Sequence, residues 1–383
     1  MPGTISNGFE PVRDAFAQQI ETGDGVGGAV AVYHRGKLAV DLWGGMADRA
    51  AGHPWQENTM CVVYSTTKGA TSTCLHMLVD RGQLSYDDLV VKHWPEFAKH
   101  GKDKITVRHV LTHQAGMPQQ PKGLGDEQTL VWDRIVRAME NLEPMWKPGE
   151  KTGYHAINFG WLAGEIIRRI DGRTVGAFLG EEVCKPLGLR DLYIGLPESE
   201  EGRVARLESL LNEDADVQRI DQMLDIETIA GDAAGQRMAD PVQFYNRPET
   251  HRAELPAAGG IATARDLARL YACLGAGGTL DGVTLMRPDT IATATAQHTY
   301  GPDAIINFPM GWALGYMTGG ATSSSGPRVT AFGHAGFGGS NAFADPEIEM
   351  SFAYITNGIS LDLLGYTRAF ALSAAARQCV GAL

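Results

Sequence analysis

Residues 61–82, CVVYSTTKGATSTCLHMLVDRG, decide how this chain is read. An apolar segment runs into a helical pattern, and Ser65 and Lys68 stand three residues apart where the pattern begins. On a helix the two lie one turn apart on the same face. Thr71, Cys74, Leu75 and Leu78 follow the i, i+3, i+4, i+7 rule and can anchor an adjacent face in a core. Ser65 then sits at a helix N-terminus, where unpaired N–H groups and the positive dipole end favour developing negative charge. A serine so placed can attack a carbonyl once a neighbouring base takes its proton. It can equally be a helix cap. Ser-x-x-Lys arises by chance about once in a chain of ordinary composition and this length, so the pair needs partners elsewhere.

Working outward, residues 9–22 carry Phe9, Val12, Phe16 and Ile20 at helical spacing. GGAVAVYHRGKLAVDLWGG, residues 27–45, reads as a β-hairpin turning at Arg35-Gly36. From 65 to about 250 the patterns are mostly helical, clearest in TVRHVLTHQAGMP (106–118) and FGWLAGEIIRRIDG (159–172). Residues 195–255 are polar, acidic and weakly periodic, a variable connecting region. RVTAFGHAG (328–336) and MSFAYITNG (350–358) are β-rich, and residues 361–380 read as a closing helix. Strands at both ends with helices between them give an α/β (α+β) chain. One sheet domain is built from 1–60 and 255–383, with a mostly helical domain, 61–254, inserted.

Two further elements could supply partners. WKPGEKTGYHAINFG leads through a Pro-Gly turn to Tyr154, a residue type that most often serves a core or an interface. AFGHAGFGGSNAF places His334-Ala-Gly336 at the end of a β-run, entering a loop whose glycines let backbone approach a ligand. Together with Ser65-Thr-Thr-Lys68, these elements resemble the active-site set of serine β-lactamases, penicillin-binding DD-peptidases and, most closely, family VIII carboxylesterases. The flanks LTHQAGMP, EEVCKPLGL and AAGGIATARDLARLYACL extend the likeness over nearly the whole chain.

The resemblance implies a serine β-lactamase-like fold, an antiparallel sheet flanked by helices, with the active site between the two domains. It implies that Ser65 is the acylated nucleophile, and that Lys68 has a lowered pKa and shares protons with Tyr154. Tyr154 would act as base toward Ser65 and acid toward the leaving alkoxide. The backbone N–H groups of Ser65 and Phe337 would form the oxyanion hole. His334, Gly336 and Trp312 would line and support the cleft. Ala156 stands where lactamases and DD-peptidases carry Asn, and His334 stands where they carry Lys. Both changes weaken recognition of amides and carboxylates while sparing acyl transfer, which favours short-acyl carboxylic esters over lactams. A β-lactamase, DD-peptidase or D-amino-acid amidase is the alternative enzyme, and a non-catalytic binding member the alternative of another kind.

His109 and His113 have zinc-pair spacing but lack an HExxH glutamate or an obvious third ligand, so no metal is expected. GFGGSNA misses G-x-S-x-G because Ala342 takes the final position, and GAGGTLDG precedes no P-loop lysine. No cofactor is implied. The 383 residues are 44% apolar and carry a net charge of -12 without a basic block, which argues against nucleic acid or an anionic membrane as partner. The expected partner is a small-molecule ester, and oligomeric state is not encoded legibly. Cys61, Cys74, Cys184, Cys273 and Cys379 are odd in number and lie in apolar contexts, which reads as free thiols in a reducing compartment. With no leader pattern or bilayer-length apolar run, the expected location is the cytoplasm.

Overall fold

The computed structural model describes residues 1–23, 26–211, 240–321, 323–361 and 367–381. Its frame is an antiparallel sheet. The strands are β1 (Gly3–Ile5), β2 (Gly27–His34), β3 (Lys37–Asp48), β4 (Thr299–Pro302), β5 (Pro309–Trp312), β6 (Met317–Thr318), β7 (Phe332–Ala335), β8 (Asn341–Asp345) and β9 (Met350–Thr356). They lie in the order β1-β3-β2-β9-β8-β7-β6-β5-β4, and His53–Pro54 pairs with β3 off this path. The first hairpin closes as read: Arg35 and Gly36 both have positive φ, 51° and 72°, the geometry that matches the right-handed twist of its strands.

The strand alternation separates two kinds of side chain. Val30, Val32, Phe343, Phe352 and Tyr354 face one side and form a core with Phe9, Val12, Phe16, Leu372 and Ala376 of helices α1 (Glu10–Glu21) and α5 (Arg368–Cys379). Ala29, Ala31, Ala342, Ala344 and Ala353 face the other side, belonging to the larger core. Short side chains there let a helix approach closely. Helix α4 (Ala264–Gly275) is that helix: Thr263 caps its first turn and the Ser351 hydroxyl donates to Ala268 O at 2.7 Å.

Between the sheet's two halves in sequence run α2 (Thr67–Asp80) and α3 (Asn158–Asp171), which pack on each other. Every residue of α2 from Thr67 to Leu78 is buried, so this helix is a core element and not an amphipathic one. Gly172 ends α3 in the left-handed conformation its sequence announces. A small sheet of Cys61–Val62, Gly260–Ala262 and Leu192–Ile194 ties the segment before α2 to chain almost two hundred residues away.

Three expectations are corrected. The helix read over 106–118 is only Val107–Leu111, because His113 takes φ 57° and Gly116 φ 78°. Strand structure in RVTAFGHAG is confined to Phe332–Ala335. The helix read over 361–380 starts at Arg368, and residues 362–366 lie outside the described residues. Strands β4 to β6 had no reading from sequence. Of the connecting region at 195–255, residues 212–239 lie outside the described residues, and Pro241–Tyr245 and Pro248–Arg252 are short helices. All five cysteines are free, and no described helix is long and apolar enough to cross a membrane.

Candidate active site

Ser65 lies in a 3-10 turn, Tyr64–Thr66, that runs directly into α2, one step before the helix where the sequence placed it. Tyr64 holds φ 46°, a conformation costing roughly 1–3 kcal/mol for a residue with a side chain. Neighbours hold the turn in place. The Tyr64 ring packs edge-on to Tyr245 and Phe337, and Thr67 Oγ1 donates to Tyr64 O at 2.5 Å. Ser65 itself is partly exposed, so a substrate can reach it.

Lys68 is fully buried, and its Nζ has three oxygen neighbours: Ser65 Oγ at 3.0 Å, Ala156 O at 2.7 Å and Ala257 O at 3.0 Å. Burial drives its pKa well below 10.5. A neutral amine has two N–H groups and one lone pair. The two carbonyls take the N–H groups, which turns the lone pair toward the Ser65 hydroxyl. Gly160 makes this arrangement possible. A Cβ there would stand 2.7 Å from Pro256 C and 2.9 Å from Ala257 Cβ, so only glycine lets α3 sit this close to the strand of chain that presents Ala257 O.

The Tyr154 hydroxyl lies near Ser65, and its ring centroid is 5.0 Å from Lys68 Nζ. Burial raises its pKa, so it rests as a phenol. Trp312, fully buried, stacks on it at 5.5 Å with 9° between the planes. The His113 ring stands edge-on at 5.0 Å and the His334 ring lies 6.0 Å away. Burial pushes His334 down to about 3, and its Nδ1 lies 2.6 Å from Ala335 O, so it is a neutral ring with Nε2 unprotonated.

The loop after β7 is stitched to the serine turn. Ser340 Oγ donates to Val63 O at 2.8 Å, and Thr66 Oγ1 donates to His334 O at 3.2 Å. A methyl at Gly336 would collide with Val63 O and Ser340 Oγ. The backbone of Gly336 and Phe337 thereby runs beside the Ser65 turn, and the Phe337 side chain is partly exposed there. Ser65, Lys68, Tyr154, His334, Gly336, Phe337 and Trp312 thus come together from four separate stretches of chain.

Several residues at the site had no reading from sequence. Ala156 was noted only for a missing Asn, yet its carbonyl holds Lys68. Asn158, two residues on, donates to Met117 O and Gln119 O and serves the neighbouring loop. Ala257 opens the flank AAGGIATARDLARLYACL, but a backbone acceptor leaves no trace in residue type, and Asp303 is supplied by a stretch with no motif. His109 and His113 do not share a helix face. His109 completes the capping box of its own short helix, and His113 Nδ1 accepts from His155 N at 3.1 Å.

The chain matches the beta-lactamase family model over residues 12–375. It is 34% identical over 366 residues to the esterase/beta-lactamase LipL of Mycobacterium tuberculosis (strain ATCC 25618 / H37Rv), covering 93% of this chain and 82% of that one. A penicillin-binding protein homolog from Caulobacter crescentus shares the fold with a TM-score of 0.88 at 37% identity, over 99% of both chains. A family VIII carboxylesterase does so with a TM-score of 0.89 at 34% identity, again over 99% of both.

Proposed function

Because the chain belongs to the beta-lactamase family, we propose that it is a serine hydrolase of short-acyl carboxylic esters that works through an acyl-enzyme on Ser65. The observation that carries this reading is the amine of Lys68, buried and set 3.0 Å from Ser65 Oγ with its N–H groups already committed to two carbonyls. LipL and the family VIII carboxylesterase, alike to this chain along most of their lengths, carry esterase names.

In the proposed reaction neutral Lys68 takes the Ser65 proton as Oγ attacks the ester carbonyl. The oxyanion is received by the N–H groups of Ser65 and Phe337, an arrangement worth about 3–4 kcal/mol per donor. Tyr154 gives its phenolic proton to the departing alkoxide and recovers one from protonated Lys68. Water then attacks the acyl-enzyme with Lys68 and Tyr154 in the same proton relay, releasing the acid and restoring Ser65. Burial favours this division of labour, since it lowers Lys68 and raises Tyr154.

Preference for esters over lactams follows from the charges present. His334, neutral and with its Nδ1 turned to Ala335 O, offers no cation to a substrate carboxylate. Phe337 packs edge-on against Tyr64, the residue before the nucleophile. We assign the chain no metal or cofactor role and, from its five free thiols, a reducing cytoplasmic location.

The test is a Ser65→Ala variant with p-nitrophenyl butyrate, paired with mass spectrometry of the wild-type protein after a slow phosphonate ester. Turnover should fall by about 10³-fold or more, and the adduct should map to Ser65. A folded variant that keeps its turnover, or an adduct on another residue, removes the assignment.

A further inference from the structure

Tyr154 is held from behind by a group that no motif contains. Asp303 follows β4 and is 1% exposed. Its Oδ1 accepts from the backbone N–H of Tyr154 at 3.0 Å, Ile305 at 2.9 Å and Ile306 at 3.0 Å. The indole of Trp312 is turned toward the same carboxylate. Trp312 Nε1 and Asp303 Oδ2 are both buried without a hydrogen-bond partner among the described residues. One side chain therefore binds the main chain of Tyr154 and neighbours the Trp312 ring that stacks on it at 5.5 Å.

We propose that Asp303 is a positioning residue for the proton donor: it seats the Tyr154 main chain beside the Trp312 ring so that the phenol points at Ser65. This rests on the acyl-transfer reading of Ser65, Lys68 and Tyr154. The carboxylate is expensive to bury unless its acceptors are filled, and three backbone donors fill one oxygen. A fold that only needed to close the 303–306 turn requires the Ile305 and Ile306 bonds. The bond to Tyr154 N bridges 149 residues of sequence and adds nothing to that turn. The other ionisable groups around the phenol are Lys68, His113, His155 and His334, and burial drives all four toward their neutral forms. Asp303 is the group at this position that can organise polar contacts by accepting several at once.

The experiment uses the leaving group as its readout. A p-nitrophenolate departs without protonation, whereas ethoxide needs the proton of Tyr154. Tyr154→Phe should therefore lose far more kcat on ethyl butyrate, followed by pH-stat, than on p-nitrophenyl butyrate. Asp303→Ala should reproduce that bias, losing about 10²-fold on the ethyl ester and under about tenfold on the aryl ester. Asp303→Asn keeps an acceptor oxygen for the three N–H groups and should recover to within about fivefold of wild type on both. If Asp303→Ala does not fold, Trp312→Phe supplies the readout: it removes the indole N–H, keeps a ring, and should show the same ethyl-over-aryl bias.

An equal loss on both esters in the folded Asp303→Ala protein, or in Trp312→Phe where that stands in, overturns the proposal and leaves a structural carboxylate. A Tyr154→Phe enzyme without the bias overturns the acyl-transfer reading of Tyr154, and this inference with it. The two failures are told apart by which variant lacks the bias.

Discussion

Gly160→Ala is a one-methyl test of how Lys68 is held. The added Cβ would collide first with the backbone N of Ala257 and would stand 2.7 Å from Pro256 C, both backbone atoms and not the mobile end of a side chain. Ordinary contact needs about 3.4–4 Å, so the 256–257 segment must retreat by roughly 1 Å. Ala257 O starts 3.0 Å from Lys68 Nζ, and a retreat of that size stretches the bond past useful length. Thr71 Oγ1, which donates to Pro256 O at 2.7 Å, resists the same movement. Alanine gains about 1 kcal/mol of helix propensity over glycine, against about 1–3 kcal/mol for overpacking. The net stability loss is about 1 kcal/mol. The rate loss is larger, about 10²-fold in kcat for a catalytic amine misplaced on this scale. The assay is kcat and KM on p-nitrophenyl butyrate beside a urea unfolding curve. Gly180→Ala, with open space around its Cβ position, is the control and should leave both unchanged. Wild-type kcat in a folded Gly160→Ala protein would refute the claim that Ala257 O tunes the amine.

Two pH effects follow from burial. Lys68 acts as a neutral base with its pKa lowered from 10.5, so kcat/KM should climb on an acid limb and level off once the amine is deprotonated, and Lys68→Met should abolish turnover at every pH tested. Between the lowered value and 10.5 the unfolded chain holds the extra proton, so stability should rise with pH there; urea midpoints that do not rise would contradict it. His76 and His334, pushed down to about 3, and His155, pushed down to about 4, work in the acid direction. Below the ordinary imidazole value of 6.5 the unfolded chain takes up protons that the folded one refuses, so stability falls as pH falls. At pH 5.5 the three together should cost about 4 kcal/mol relative to pH 7, and a urea midpoint unchanged between these pH values would count against it.

What the sequence disclosed was whatever depends on residue type at fixed spacing. Ser65 and Lys68 sit one turn apart because three residues of near-helical chain allow nothing else. The hairpin at Arg35-Gly36 and the end of α3 at Gly172 were legible from turn chemistry. Strands β4 to β6 were not: Pro302 and Pro309 interrupt any alternation, and β6 is two residues long, ordered by its neighbours. The helix at 107–111 was overread because Thr112 and His113 continue the pattern while tertiary packing turns His113 to a positive φ. Among site residues, side chains with chemistry of their own were found and those acting through a carbonyl or a remote carboxylate were missed. Ala156, Ala257 and Asp303 acquire their places only when α3 and β4 meet α2.

Lys68 touches oxygen atoms from the turn that opens its own helix, from the turn before α3 and from the segment before Gly260. These come from positions 65, 156 and 257, which only the tertiary fold brings together. A nascent or partly unravelled chain leaves this lysine hydrated, cationic and inert. The fold thus withholds reactivity until assembly is finished, so that loss of turnover in mild denaturant should precede, or at latest accompany, the loss of any other folded signal.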